Sequence, residues 1–452
     1  MNIIIAGSGK VGTTLARRLS EEGYDLTLID TDSKVLADVC DEYDVIGVRG
    51  NCASMQVLQQ AGISDADLLI AATSQDEVNL LCCTTAHGIN PDLHTIGRIR
   101  NPDYTQQIYA MRDVFALSLA VNPEKQAANE IESLLRFPGF LHRDTFAKGR
   151  TAIVELRVEK DSPLRNVTLN ALNSIVKCKV LVCAVLRNGN AVTPGGTFTL
   201  KEGDRIFVTA PSSSLSVLLK NLGIITRRAR KVIVCGGSRI GYYLVQQLCN
   251  DGVSVCLIEQ DRQRCEVLAA ALPEATIIHG DATDKSLLED YGLSTCDALI
   301  SLTGTDEMNM IISLYANTRG VPQVITKLGH TENRSISHNL SLGSVISPRD
   351  LCCDTIVRYV RAMSNLTGTA ESVHTIADGQ VEAVEFRVDE HTLHHGTPLK
   401  NIRLKPDVLL VSITHGAQTE IPGGNSIFLE GDTIVAVTSR RGSLRQVNDI
   451  FA

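Results

Sequence analysis

The residues best suited to chemistry stand at the head of the chain. Gly7, Gly9 and Gly12, within Gly7-Ser8-Gly9-Lys10-Val11-Gly12, form a G-x-G-x-x-G. Such a turn offers phosphate oxygens backbone N–H groups and the positive end of a helix dipole. The first glycine permits the tight turn, the second lets a pyrophosphate approach the backbone, and the third lets the helix pack closely. Asp30 follows the glycines by about 20 residues, where a carboxylate reaches a ribose hydroxyl. No Arg directly follows Asp30-Thr31-Asp32, so a 2′-phosphate would be repelled there. NAD(H) or an adenosine nucleotide is therefore expected rather than NADP. Lys10 either adds positive charge to the turn or is simply solvated. Asn51 and Cys52 follow a third apolar run, where such sheets usually meet an adenine edge. Thr73 and Ser74 end a fourth run, at the carboxyl edge where ligands sit. Arg98 and Arg100 flank one residue of a fifth, and on a strand they share a face. Their guanidinium groups suit phosphate oxygens, with structural ion pairing as the alternative. Asp76 and Glu77 open the next helix, either as helix-end acids or as ligand contacts.

These groups need elements to hold them. Asn2-Ile3-Ile4-Ile5-Ala6 reads as a strand, and Val11, Leu15 and Leu19 recur at helical spacing. Leu26-Thr27-Leu28-Ile29 reads as a second strand ending in Asp30. Strand, turn, helix, strand, acid is the order of a dinucleotide-binding fold. The chain then repeats itself half a length later. Lys231-Val-Ile-Val-Cys-Gly236 through Gly241 repeats the opening, and Val255-Cys-Leu-Ile-Glu259 repeats the second strand and acid. Thr73-Ser-Gln-Asp76-Glu77-Val-Asn79 returns as Thr303-Gly-Thr-Asp306-Glu307-Met-Asn309. Ser238 replaces the middle glycine and only Lys327 follows the fifth strand, so the second site is expected to be weaker, altered or structural. Glu259 still reaches a ribose. The intervening segments repeat too: Thr193-Pro-Gly195-Gly196 matches Ile421-Pro-Gly423-Gly424, and Glu202-Gly203-Asp204 matches Glu430-Gly431-Asp432. Ala127, Ile131, Leu134 and Leu135, and later Ile356, Val357, Val360 and Met363, mark helices crossing from each nucleotide lobe to its small lobe. The fold class is α/β: two tandem Rossmann-like, doubly wound parallel-sheet lobes, each followed by a small α+β lobe. The expected boundaries are 1–122, a crossover helix over 123–141, 142–226, 230–347, a second crossover over 348–370, and 371–452.

At 452 residues, length alone suggests about three domains. A net charge of −8 gives no reason to expect nucleic acid or an anionic membrane surface as a partner. No apolar run approaches the ~18 residues of a membrane helix. The opening run has no basic leader, so no signal peptide is expected. The 13 cysteines lack a C-x-x-C and mostly sit in apolar runs, as buried reduced thiols of a cytosolic protein do. His391, His394 and His395 read as a solvated loop, and no metal site is expected. There is no Tyr-x-x-x-Lys pair and no His–acid constellation, so no catalytic residues are assigned. A sensor is favoured over the competing class, a soluble NAD-dependent dehydrogenase.

With these residues in hand, the whole chain resembles the cytosolic regulatory subunits of bacterial Trk potassium uptake systems. That family is built from two tandem RCK (KTN) units, each a Rossmann lobe and a small C-terminal lobe. Gly-Ser-Gly-Lys-Val-Gly, Asp30, the 73–79 motif, Arg98-Ile-Arg100-Asn-Pro and Asn122-Pro123-Glu124 carry the resemblance. It implies binding of NAD(H) and of ATP or ADP. It also implies peripheral attachment to the inner face of the cell membrane, through an integral membrane potassium transporter that the chain gates. A homo-oligomeric ring of four chains is implied as well. Gly7, Gly9, Gly12 and Asp30 match the family's nucleotide positions, and Thr73, Arg98 and Arg100 its phosphate side.

Overall fold

The computed structural model describes residues 1–452 apart from 137–138, 225–228, 330–339, 341, 364–369 and 441. Residues 137–138 and 364–369 of the two expected crossover segments, and the expected end of the first small lobe at 226, lie outside the described residues. The first six strands are β1 (Asn2–Ala6), β2 (Asp25–Asp30), β3 (Ile46–Arg49), β4 (Leu68–Ala71), β5 (His94–Arg98) and β6 (Leu119–Val121). They pair in the order β3-β2-β1-β4-β5-β6, all parallel. Strand order reverses between β1 and β4, which opens a crevice at their carboxyl ends. Ile3 and Ile5 enter one core while Ile4 and Ala6 enter another, which explains why β1 is apolar throughout. The connecting helices are α1 (Lys10–Glu21), α2 (Ser33–Glu42), α3 (Met55–Gln60), α4 (Asp76–Ile89) and α5 (Pro102–Ala110), followed by the crossover helix α6 (Pro123–Arg136).

The first small lobe holds β7 (His142–Phe146), β8 (Thr151–Arg157), α7 (Leu169–Val176), β9 (Leu181–Arg187), β10 (Asn190–Val192), β11 (Arg205–Pro211) and α8 (Leu215–Asn221). Its antiparallel sheet runs β10-β9-β11-β8-β7. The second nucleotide lobe repeats the first: β12 (Lys231–Cys235), α9 (Arg239–Asn250), β13 (Ser254–Glu259), α10 (Arg262–Ala271), β14 (Thr276–His279), α11 (Lys285–Asp290), β15 (Ala298–Ser301), α12 (Asp306–Thr318), β16 (Gln323–Lys327) and β17 (Ser344–Ile346). Its parallel order is β14-β13-β12-β15-β16-β17. The second crossover helix, α13 (Pro348–Met363), leads to the strands β18 (Ala370–Ile376), β19 (Val381–Arg387), β20 (Val408–His415), β21 (Gln418–Glu420) and β22 (Thr433–Thr438). Among the described residues this last lobe carries only short 3₁₀ turns, Leu399–Asn401 and Val447–Ile450, where the first has α7 and α8.

The crossover helices exchange partners. The stripe Ala127, Ala128, Ile131, Leu134 and Leu135 of α6 is buried in the core of the second nucleotide lobe, against Tyr243, Leu244 and Leu248 of α9. Cys352, Cys353, Ile356, Val357 and Val360 of α13 likewise complete the core of the first, against α1. Burial of Ile131, Leu134 and Leu135 alone is worth roughly 1.5–3 kcal/mol each. Ion pairs reinforce the second junction: Arg18 with Asp354, and Arg361 with Glu22 through both guanidinium and both carboxylate ends. The two small sheets pack on one another through Ile153, Cys183 and Phe207 on one side and Val381, Val411 and Val435 on the other. Among the described residues no helix is long and apolar enough to cross a membrane.

Candidate functional site

The three glycines of the first turn do different work. Gly7 has φ +103°, where an L side chain is strained, and a Cβ there would lie 3.0 Å from the Thr73 backbone. At Gly12 a Cβ would come within 1.8 Å of the Gly7 carbonyl oxygen. Gly9 is ordinary extended backbone at φ −68°, with nothing within 4 Å of a Cβ built on it. Its missing side chain leaves open space on the ligand side of the turn. Ser8 is buried and donates its N–H to Asp30 Oδ2 at 2.6 Å, while Asp30 Oδ1 accepts from Asp32 N at 2.9 Å. Burial disfavours the Asp30 charge, but the hydrogen bonds from Asp32 and Ser8 outweigh it and hold the carboxyl below its usual range. Asp32 is spent on capping α2 through Lys34 N and Val35 N. Lys10 is exposed and Val11 packs into the core. Asn51 is exposed, with Oδ1 accepting from Ala53 N at 3.0 Å. Cys52 is buried in the same core as Cys82.

The 73–79 motif is a lock. Asn79, fully buried, accepts from Thr73 N at 2.9 Å and Thr73 Oγ1 at 2.7 Å, and donates to Arg98 O at 2.8 Å and Thr73 O at 3.3 Å. It thereby ties the β4–α4 loop to the end of β5. The strand ends at Arg98, so Arg100 leaves the pleat and the shared-face geometry expected for the pair does not apply. Both arginines instead clasp the β4–α4 loop. Arg98 Nη2 donates to Thr73 O at 2.6 Å, and Arg100 Nη2 donates to Ser74 O. Asp76 Oδ2 accepts the N–H groups of Arg100 and Asn101, each at 2.7 Å, so this buried acid orders the β5–α5 loop. Glu77 accepts from the Tyr104 hydroxyl at 2.6 Å. The second lobe repeats the lock with Thr303 and Asn309, and Lys327 Nζ donates to Thr303 O at 2.6 Å in the place of Arg98. Asp306 accepts from Gly329 N at 2.8 Å.

The second turn also keeps its geometry. Ser238 (φ −62°, ψ 177°) has the backbone conformation of Gly9, and Glu259 Oε2 accepts from Gly237 N at 2.6 Å, as Asp30 does from Ser8. A cleft of about 350 Å³ opens here, lined among others by Gly236, Ser238, Glu259, Arg264, Asp281 and Thr303. The Ser238 side chain thus narrows one side of a cleft that persists.

The two sites face one seam. Tyr243 of α9 donates to Arg100 O at 3.3 Å and accepts from Asn122 Nδ2 at 3.1 Å. Arg239, one turn earlier on α9, acts electrostatically on both Glu77 and Glu124. Burial pushes the Glu124 carboxyl up, opposed by Arg100, Arg98 and Arg239, and its Oε2 is buried without a hydrogen-bond partner among the described residues. Burial, and then Arg100, pull the Arg98 guanidinium down, and its Nε is also buried without a partner among the described residues. From sequence, Asn79 and Glu124 stood out only as motif positions, and each crossover helix was expected to join a nucleotide lobe to its own small lobe rather than to complete the core of the other. The recurrence of Asn at 79 and 309 was the available signal for the lock.

Elsewhere, burial pushes the Cys83 and Cys353 thiols up to about 12, far from reactive thiolates. His391 lies 3.6 Å from Glu390, His394 packs on Phe451, and His395 Nδ1 meets Thr392 O. Among the described residues no group of three or more His, Cys, Asp or Glu side chains could hold a metal ion.

The family model of the TrkA-N domain matches residues 3–117 and 232–348, and that of the TrkA-C domain matches residues 153–223 and 383–452. The chain belongs to the TrkA family. The Trk system potassium uptake protein TrkA of Haemophilus influenzae is 27% identical over 460 residues, covering 100% of this chain and 98% of that one. The TrkA homolog of Archaeoglobus fulgidus is 29% identical over 452 residues, covering all of both. The crystal structure of the GsuK RCK domain superposes with a TM-score of 0.61 at 16% identity, covering 96% of this chain and 92% of that one. The GsuK channel bound to NAD gives 0.61 over 97% of this chain and 76% of that one, also at 16%. At such identity these likenesses show the fold: tandem RCK units, each a Rossmann lobe with a small lobe behind it.

Proposed function

We propose that the chain is a cytosolic regulatory subunit that senses NAD(H) and adenine nucleotides and gates an integral membrane potassium transporter of the Trk type. It works without turning its ligand over. The observation that carries this reading is the seam. The first turn, the clasped β4–α4 loop, Arg98 and Arg100 converge where Arg239 of the second lobe and Glu124 at the head of α6 also lie. A ligand's phosphates at this edge would alter the charge balance between two lobes and a helix that spans them. In this reading Asp30 takes the ribose, Gly7, Ser8, Gly9, Lys10, Val11 and Gly12 surround the phosphates, and Asn51 stands near the adenine. The second cleft, with Glu259, offers a further adenosine site. The names of the curated relatives support potassium transport, and GsuK structures described with NAD and with ADP support the ligand class. The chain would lie peripherally at the inner membrane face as a ring of four copies.

A ligand shifts an equilibrium only by its differential affinity for two states. A coupling of about 1–3 kcal/mol would change partner activity roughly 5–150-fold. The test is potassium flux through the reconstituted membrane subunit with this chain added. Flux should change with nucleotide identity while NADH absorbance stays constant. Steady NADH consumption with no effect on flux would overturn the reading.

A further inference from the structure

The whole-chain charge hides a polarity between the two small lobes. Residues 142–224 hold 12 Lys and Arg against 6 Asp and Glu, whereas residues 371–452 hold 7 against 11. No Asp or Glu occurs from 162 to 200, nor from 206 to 250. The acid-free stretches include α7 and α8, which cover one face of the first small sheet. The other face is closed against the second small lobe, so α7 and α8 are the outward layer.

The ends of these two helices meet, with Asn221 Nδ2 donating to Val176 O at 2.6 Å. Lys177, Lys179 and Lys220 flank that junction, and all three are exposed. No carboxylate pairs with any of them among the described residues. On α8 the residues Leu215, Leu218 and Leu219 point inward, leaving Ser216, Val217 and Lys220 outward, with Val217 44% exposed. The face is therefore cationic, acid-free and lightly apolar. Its charges are lysines, strongly hydrated point charges on flexible stems, rather than the planar forks that read a fixed carboxylate geometry. That chemistry suits a diffuse sheet of phosphate groups.

We propose that this face of the first small lobe docks on anionic phospholipid headgroups and so orients the chain at the membrane. The inference rests on the reading of the chain as a membrane transporter's regulatory subunit. The acidic second small lobe would be repelled by the same surface, which fixes the orientation.

The test is co-sedimentation of the full chain with vesicles, without transporter or nucleotide. One set is phosphatidylcholine alone and the other contains phosphatidylglycerol as well. The chain should sediment with the mixed vesicles and not with the neutral ones. Salt that shortens the Debye length from about 10 Å to about 3 Å should release it. The triple variant Lys177→Gln, Lys179→Gln, Lys220→Gln should lose roughly a hundredfold in partitioning, at about fivefold per lysine. Its circular dichroism and its NADH affinity should be those of the unmodified chain. Equal partitioning into both vesicles, or an unaffected triple variant, would overturn the proposal. So would binding confined to transporter reconstituted in neutral lipid and lost in the triple variant, since the lysines would then meet an acidic protein surface. Persisting vesicle binding with no nucleotide effect on flux would defeat the gating reading alone.

Discussion

Replacing Asn79 by Ala tests whether the 73–79 motif is a lock on the site's phosphate edge. The amide's orientation is set by its partners: Thr73 N can only donate and Arg98 O can only accept. Alanine strands both of these backbone groups, while the Thr73 hydroxyl can rotate to another acceptor. Each stranded buried group costs about 1–3 kcal/mol, so the loss is roughly 2–6 kcal/mol. In a chain of four packed lobes a single melting temperature is not a clean readout. Amide hydrogen exchange over β4, its following loop and α4 reads the local opening free energy directly. Exchange there should accelerate, and NADH affinity measured by calorimetry should fall with it. Asn79→Asp keeps an acceptor for Thr73 N but sets an oxygen against Arg98 O, so it should be no milder than alanine. Asn309→Ala, which breaks the same lock in the second lobe, should loosen that lobe while sparing NADH at the first turn. Exchange in Asn79→Ala within about 0.5 kcal/mol of the parent would refute the argument, because surface substitutions alone give that much.

The glycines separate stability from binding. Gly9→Ala should fold normally, since its Cβ enters empty space, yet lose at least about tenfold in nucleotide affinity, or 1.4 kcal/mol; Gly12→Ala should fail to accumulate folded protein, because its Cβ strikes the Gly7 carbonyl. Calorimetry should give much weaker binding of NADPH than of NADH, and equal affinities would remove Asp30 from the ribose. At the joint of the small lobes, burial disfavours the His142 cation, but Asp144 at 3.1 Å raises the ring to about 10. A raised pKa adds stability that is complete below about pH 6.5, the unfolded value, and is lost as pH rises towards 10. The ring is 36% exposed, so solvent moderates the effect. The local opening free energy of β7 and β8, read by amide hydrogen exchange, should decline across that interval in the parent and be flatter in His142→Gln.

Much of this architecture was readable because it is periodic and doubled. The continuous apolar runs at β1 and β12 mark strands buried on both faces, and the recurrence of the 73–79 motif fixes the offset between the halves. The partner of each crossover helix was not readable. The stripe Ala127, Ile131, Leu134, Leu135 specifies an apolar face but not which core receives it. The arginine geometry failed for a local reason: a strand that stops at Arg98 no longer alternates its side chains. Asn79 was legible as a repeated motif position but not as a lock, because an asparagine within a helix looks like a solvated polar residue until its depth is known. Cys52 sits one residue after Asn51, yet its thiol belongs to the core beside Cys82. The cationic face of the first small lobe was masked by averaging charge over the chain.

The exchanged crossover helices bear on ancestry. Two identical half-length chains trading the same helices would form a symmetric dimer, in which every substitution appears twice. Once the halves are covalently joined, each copy is free to diverge. Here Pro123-Glu124 opens one crossover helix and Pro348-Arg349 the other, and Asp144 of one small lobe meets His374 of the other at 2.7 Å. Asp144 and His374 hold the same place in their sheets, opposite Ile153 and Ala383, so a homodimer would set two acids or two bases against each other there. Fusion thus converts self-recognition into heterologous recognition. A point mutation in either half can then tune one ligand cleft without touching its twin.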